Sequence, residues 1–139
     1  MKIACLQMTT ACDPSANLKL IEAQVQEAAK AGADIVALPE TCTFMEKNRA
    51  AMQARLETQG DSQVLATLQN IAKANGVTLL VGSLILADED SDKAVNRSVL
   101  IAADGQLRRN MTKSICLMSN WRMASVTMKA PPIKPVRPL

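Results

Sequence analysis

Apolar and polar residues along the first 109 positions fall into blocks that predict strands and helices in turn. Apolar runs at 2–8, 34–40 and 77–86 predict three buried strands. Between these runs, apolar residues recur at helical spacing over 13–33 and 61–76. A strand, a helix and a second strand in this order predict a parallel βαβ unit. The fold class is therefore α/β, with a largely apolar sheet covered by helices.

Capping residues predict where the two long helices begin and end. Asp13 is expected to cap the first helix, Pro14 suits its first turn and Gly32 its exit, and Asp61 and Gly76 are expected to begin and end the second. The faces expected to pack on the sheet are Leu18, Ile21, Val25 and Ala28 or Ala29, and Val64, Leu65, Leu68, Ile71 and Ala72.

The remaining chain before residue 110 predicts a short helix, a loop and a hairpin. Residues 47–57 can form a short helix, and residues 88–93 form an acidic loop. A strand follows and reaches a turn at Asp104-Gly105, after which a return strand begins.

The last thirty residues have a different composition from the rest of the chain. They hold four of the six prolines, four of the eight methionines and the one tryptophan. Residues 1–109 carry thirteen acidic and eleven basic side chains, a net charge of −2, whereas residues 110–139 carry five basic side chains and none that is acidic. The mildly basic net charge of +3 therefore comes from the tail.

Cysteine usage and hydropathy favour a cytoplasmic protein without a metal. The cysteines are widely separated, and with no histidine in the chain a zinc site would need carboxylates or all four thiols. No stretch approaches the roughly 20 apolar residues of a membrane span, and the N-terminus lacks the pattern of a signal peptide. We expect no membrane partner, reduced thiols and a cytoplasmic location.

One carboxylate stands where α/β sheets usually bind ligands. Glu40 follows the second predicted strand and Pro39, and ligands tend to lie beyond the carboxyl ends of such strands. It is either a surface carboxylate at the end of a strand or a partly buried general base with a raised pKa. Position alone leaves both interpretations open.

Four segments resemble the opening of the nitrilase, or carbon-nitrogen hydrolase, superfamily. They are KIACLQM, EAAKAGADIVALPET, GVTLLVGSL and VNRSVLIAADGQL, and GADIVALPE is the most specific of them. The resemblance covers essentially all of residues 2–109. It implies the N-terminal part of an αββα sandwich that forms homo-oligomers and hydrolyses small amides or nitriles without a cofactor.

The resemblance also implies a catalytic Glu, Lys and Cys, of which only Glu40 is matched by its motif. In the family, Cys attacks the carbon, Glu is the general base and Lys stabilises the oxyanion. The lysine belongs to a segment like YDKIHLFD, which is due where the basic tail begins, and the cysteine lies further along the chain. This sequence shows neither motif in frame.

A one-base frameshift near Leu107 to Arg109 explains the missing lysine motif. Read from each third codon base, the tail is compatible with AKYDKIHLFDVELADGERYxESATYKAGEA. Met111, Trp121, Met123 and Met128 fix four of these letters whatever synonymous codons are used. Most other positions allow two to four choices. We therefore predict a partial hydrolase domain at 1–109 and an out-of-frame, largely irregular tail at 110–139.

Single residues of the printed chain offer weaker alternatives for the missing groups. Lys113 is close to the position of the family's lysine, but its context favours a solvated tail side chain. Cys42 follows Glu40 by two residues, yet no evident activator accompanies it, which favours a buried or incidental thiol. A small enzyme using Glu40 with a different nucleophile remains an alternative.

The favoured function is that of an N-terminal hydrolase fragment, inactive as printed. The alternative translation looks most like the amidase branch that includes deaminated-glutathione amidase and omega-amidases, which implies short carboxylated amides as substrates of the parent. A binding module whose basic tail contacts nucleic acid or an acidic partner is the alternative, since five positive charges support phosphate binding. Met and Pro dilute those charges, and one Trp is the sole base-stacking candidate.

Overall fold

The described part of the chain is a sheet of five strands with helices packed against it. The computed structural model describes residues 1–46, 48–91 and 93–113. Its elements, in chain order, are β1 (Ile3–Cys5), α1 (Pro14–Lys30), β2 (Ile35–Leu38), α2 (Arg49–Gln53), α3 (Gln63–Asn75), β3 (Thr78–Ala87), β4 (Ala94–Ile101) and β5 (Leu107–Lys113).

The strands lie in sequence order, and the sheet is parallel on one side and antiparallel on the other. β1, β2 and β3 run parallel, with Val36 paired to Ala4 on one side and to Leu79 on the other. β3, β4 and β5 run antiparallel and are joined by the loop after Ala87 and the turn at Asp104-Gly105. The predicted α/β class and parallel βαβ unit are confirmed.

Both long helices begin at polar side chains that accept backbone N–H groups. Asp13 Oδ1 accepts the amide of Ser15 at 3.0 Å, as expected. The expectation for α3 is wrong by one residue, because Ser62 Oγ, and not Asp61, accepts the amide of Leu65 at 3.1 Å. Asp61 instead accepts the hydroxyl of Thr58. Gly76 ends α3 with φ of 62°, a left-handed conformation that glycine adopts without steric cost.

The core lies between α1, α3 and one face of the sheet. Ile21, Val25, Leu68, Val36 and Leu79 are fully excluded from solvent there. These side chains are aliphatic, in keeping with a chain of two aromatic residues. A second, smaller cluster forms where Phe44 and Met52 pack near Ala94, Leu56 and Ile85.

The sheet face opposite α1 and α3 is partly open. Ile3, Leu80 and Met111 are 54%, 44% and 62% exposed. Neighbouring side chains of a strand point to opposite faces of the sheet. The positions of these residues along their strands, together with the strand pairings, place them on the face opposite the buried core positions. We call the surface formed by Ile3, Leu80 and Met111 the open face. Its three exposed apolar side chains are spread from β1 to β5, and Arg109 lies on the same face.

The boundary predicted after Arg109 falls inside β5. Residues 110–113 complete this strand, with Met111 paired to Ser98 and Lys113 paired to Asn96. The rest of the predicted irregular tail, residues 114–139, lies outside the described residues. Within the part of the chain that is described, no helix has the length and hydropathy needed to cross a membrane.

Candidate active site

Glu40 lies in an exposed turn at the carboxyl end of β2. The strand ends at Leu38, and Pro39, Glu40 and Thr41 turn the chain away from the sheet. Among the described residues, Thr41 is the non-glycine residue with a positive φ, 48°. A left-handed β-branched residue is strained and persists only where its surroundings hold it. The general-base interpretation expected a partly buried carboxylate, and in this structure Glu40 is exposed.

A bulge in β3 holds the Glu40 turn. The pairing of β3 with β4 shifts between Val81 and Leu84, so Gly82 and Ser83 interrupt the regular ladder. Ser83 is fully buried, and its Oγ accepts the backbone N–H of Thr41 at 3.0 Å. Ser98 Oγ donates to the carbonyl of Gly82 at 2.6 Å. The Ser83 hydroxyl thus joins the turn to β3, and the Ser98 hydroxyl joins β4 to β3 beside it.

Gly82 is required by the close approach of β3 to the end of β2. A Cβ atom at this position would lie 2.6 Å from the Leu38 carbonyl oxygen and 2.7 Å from the carbonyl carbon and oxygen of Pro39. These are fixed backbone atoms, so a side chain at position 82 would push the strand end that carries Glu40.

Asn17 ties together the loops that follow β1 and β2. It is 3% exposed, its Nδ2 donates to the carbonyls of Ala11 and Thr43 at 2.9 Å, and its Oδ1 accepts the Ala11 amide at 3.0 Å. Met45 N–H also donates to the Ala11 carbonyl. Because buried amides are costly unless hydrogen-bonded, this arrangement fixes the loop after Glu40 against the first turn of α1.

The cysteines near the site differ in exposure. Cys42 is fully buried, and loss of solvation raises the pKa of its thiol from 9.0 to about 12. It is therefore protonated at neutral pH and a poor nucleophile, which agrees with the interpretation as a buried thiol. Cys5 and Cys12 are exposed, and Cys12 Sγ donates to the Met45 carbonyl at 3.0 Å. Cys116 lies outside the described residues.

Lys113 ends β5, and its backbone is part of the sheet. It pairs with Asn96 of β4, which in turn pairs with Ile85 of β3. The interpretation of Lys113 as a solvated tail residue concerns its side chain, which lies outside what the structure describes. Asn96 is 6% exposed, and its Oδ1 has no hydrogen-bond partner among the described residues.

A cavity of about 520 Å³ opens on the other side of the loop after Glu40. Its walls are largely apolar, and they include Phe44, Leu56 and Leu86. Arg55 also borders it and donates from its guanidinium to the Cys12 carbonyl at 2.8 Å. Glu40 does not line this cavity, so the cavity and the candidate carboxylate are separate. Among residues 1–46, 48–91 and 93–113, no cluster of three carboxylate, thiol or imidazole groups could hold a metal ion.

Residues 2–131 of the chain match the carbon-nitrogen hydrolase family. The chain belongs to this family. The matched range confirms the resemblance of residues 2–109 and extends past Arg109 into the tail. One relative of this chain is the nitrilase and fragile histidine triad fusion protein NitFhit of Drosophila melanogaster. It is 29% identical over 105 residues, which are 76% of this chain and 22% of the relative.

Solved structures of the nitrilase superfamily share the fold. A cysteine-to-alanine variant of the Nesterenkonia amidase superimposes with a TM-score of 0.70 at 25% identity, over 81% of this chain and 42% of that one. The Caenorhabditis elegans NitFhit protein superimposes with a TM-score of 0.70 at 23% identity, over 80% of this chain and 27% of that one. The chain thus spans less than half the length of these relatives.

The sequence interpretation named Glu40 as a candidate, which stays a prediction, and did not identify the residues that hold its turn. A glycine within the apolar run VTLLVGSLIL is a recognised signal for a bulge or a close backbone approach. Asn17 lies four residues before Ile21 on the buried face of α1, and a polar residue at a core position signals a local hydrogen-bond network.

Proposed function

We propose that this chain is the N-terminal part of an amide hydrolase in which Glu40 is the general base. The observation that carries the proposal is the position of Glu40 at the carboxyl end of β2, in a turn that hydrogen bonds connect to β3 and to the antiparallel strands beyond it. The turn is bonded to Ser83, the neighbouring Gly82 is bonded to Ser98, and Ser98 is paired with Met111. β3 and β5 are separated by β4, a distance of about 10 Å at ordinary strand spacing.

The proposed chemistry is acyl transfer through a cysteine supplied by a later part of the protein. Its thiolate attacks the amide carbon, Glu40 takes the thiol proton and delivers it to the departing amine, and a lysine stabilises the oxyanion. Glu40 next removes a proton from the water that hydrolyses the thioester. Glu40 is exposed at the carboxyl end of β2, where we propose that groups from a later part of the protein complete the site.

Relatives of similar fold support this assignment. One Nesterenkonia amidase structure is a glutamate-to-glutamine variant with acrylamide added to the active-site cysteine. Another is a cysteine-to-alanine variant in complex with butyramide. For this chain we propose short amides, and the alternative translation favours amides that carry a carboxylate.

We further propose that the printed chain does not turn over because its reading frame changes before the lysine motif. In the alternative frame the lysine codon combines the last base of Thr112 with the first two bases of Lys113. When that last base is A the alternative frame encodes a lysine next to the position of Lys113, which ends β5 in the printed chain, while the residues around it differ. The match of residues 110–131 to the family leaves a second candidate, in which Lys113 itself supplies the oxyanion contact.

The nucleotide sequence distinguishes these candidates. A frameshift requires that the codons of Ser114, Ser119 and the tail prolines permit the alternative translation and that a cysteine motif follows in that frame. Codons that exclude the translation overturn the frameshift, and they leave Glu40 and Lys113 as the candidate pair.

Ammonia release tests the activity. The purified printed chain and the protein read through in the alternative frame are each incubated with short carboxylated amides. We expect release from the second protein and none above the buffer rate from the first. Release by the printed chain that Glu40→Gln abolishes contradicts the proposed inactivity.

A further inference from the structure

We propose that Ser83 is a positioning residue for Glu40, acting through the backbone of Thr41. The effect of Ser83 on catalysis rests on the proposed function of Glu40. The hydrogen bond between Ser83 and Thr41 can be measured without activity. Ser83 and Glu40 are far apart in sequence and meet only through the fold.

The geometry of the turn is the first ground for the proposal. Thr41 follows Glu40 and adopts a φ of 48°, a conformation that β-branched residues avoid. Its N–H donates to Ser83 Oγ at 3.0 Å. A residue held against its own preference returns to an ordinary conformation when the holding contact is removed. The carboxylate one residue earlier would move with it.

The burial and location of Ser83 are the second ground. The side chain is fully buried within an otherwise apolar strand, where an unbonded hydroxyl is costly. The bulge that begins at Gly82 moves Ser83 out of the regular ladder. Bulges of this kind re-aim side chains near functional sites. Here the bulge directs a hydroxyl to the turn of the candidate base.

Ser98 provides a matched comparison within the same bulge. Its hydroxyl donates to the Gly82 carbonyl at 2.6 Å, so Ser98→Ala removes one serine hydrogen bond from the same place. Of these two serines, Ser83 is the one that bonds directly to the turn that carries Glu40. If Ser83 had a merely structural role, the two alanine variants would show the same local response.

Hydrogen exchange of the printed chain, read by mass spectrometry at single-residue resolution, tests the contact. In Ser83→Ala we expect the Thr41 amide to exchange about five- to tenfold faster, because the net contribution of one hydrogen bond to its protection is lost. In Ser98→Ala the Thr41 amide keeps its rate, and in Ser83→Thr the retained hydroxyl keeps most of the protection. An unchanged Thr41 amide in Ser83→Ala overturns the proposal, and so does equal acceleration in both alanine variants.

The protein read in the alternative frame tests the consequence. We expect Ser83→Ala to lower kcat about tenfold with KM within twofold, because a misplaced base affects the chemical step, and to displace the pH profile of kcat. We expect Ser98→Ala to leave the pH profile of kcat unchanged. If that protein releases no ammonia, the proposed function fails while the exchange result stands. If it is active and Ser83→Ala changes neither kcat nor the profile, the positioning role fails alone.

Discussion

Substituting Gly82 by alanine measures how tightly the sheet holds the Glu40 turn. The new Cβ would lie 2.6 Å from the Leu38 carbonyl oxygen and 2.7 Å from the Pro39 carbonyl atoms. Ordinary van der Waals contacts begin at 3.4 Å, about 0.7–0.8 Å more, so the backbone must move. Overpacking of this kind costs about 1–3 kcal/mol, and we expect a loss near the upper end because no flexible side chain can yield.

Gly60 supplies the control for this substitution. A Cβ there meets no atom within 4 Å, so Gly60→Ala should leave the free energy of unfolding within about 0.5 kcal/mol or raise it slightly by restricting the unfolded chain. Urea unfolding of both variants, followed by far-ultraviolet circular dichroism at micromolar concentration, gives the comparison. A Gly82→Ala variant as stable as Gly60→Ala would refute the reasoning from close approach.

Two further predictions concern Cys42 and the open face. Burial raises the pKa of Cys42 from its ordinary value of 9.0 to about 12 in the folded chain, so its contribution to stability is present below pH 9 and lost as the pH rises towards 12. The urea midpoint should therefore fall more between pH 8 and 10.5 in the wild type than in Cys42→Ala, and equal falls would contradict the burial argument. Leu80 and Met111 are exposed on the open face, so the printed chain should self-associate with rising concentration. Replacing both by lysine should reduce light scattering more than Leu20→Lys on α1, and a monomeric wild type with a sharp unfolding transition would contradict this.

Periodicity predicted the helices well because their faces pack on one continuous core. The spacing of Ile21, Val25 and Ala28 identified the buried face of α1, and the buried positions of α3 also followed the prediction. The cap of α3 was missed by one residue because Asp61 and Ser62 are both good caps, and only the local backbone decides between them.

The ends of β1 and the contacts around Glu40 depend on residues that are distant in sequence. An apolar run predicted a strand over 2–8, but β1 is Ile3–Cys5. Leu6 N–H still donates to the Ala37 carbonyl, but the parallel partner β2 ends at Leu38, so Gln7 and Met8 lie beyond the ladder. Glu40 was recognisable because it follows a strand and a proline, whereas Ser83 reaches its turn through a bulge that no local pattern specifies.

The most direct measurement of the central claim is ammonia release by the protein read in the alternative frame, with and without the substitution Glu40→Gln. Glu22→Gln, on the exposed side of α1, is the matched control. If Glu40 is the general base, its replacement lowers kcat by about a hundredfold or more, while the control keeps the wild-type rate. A Glu40→Gln variant as active as the Glu22→Gln control would contradict the account.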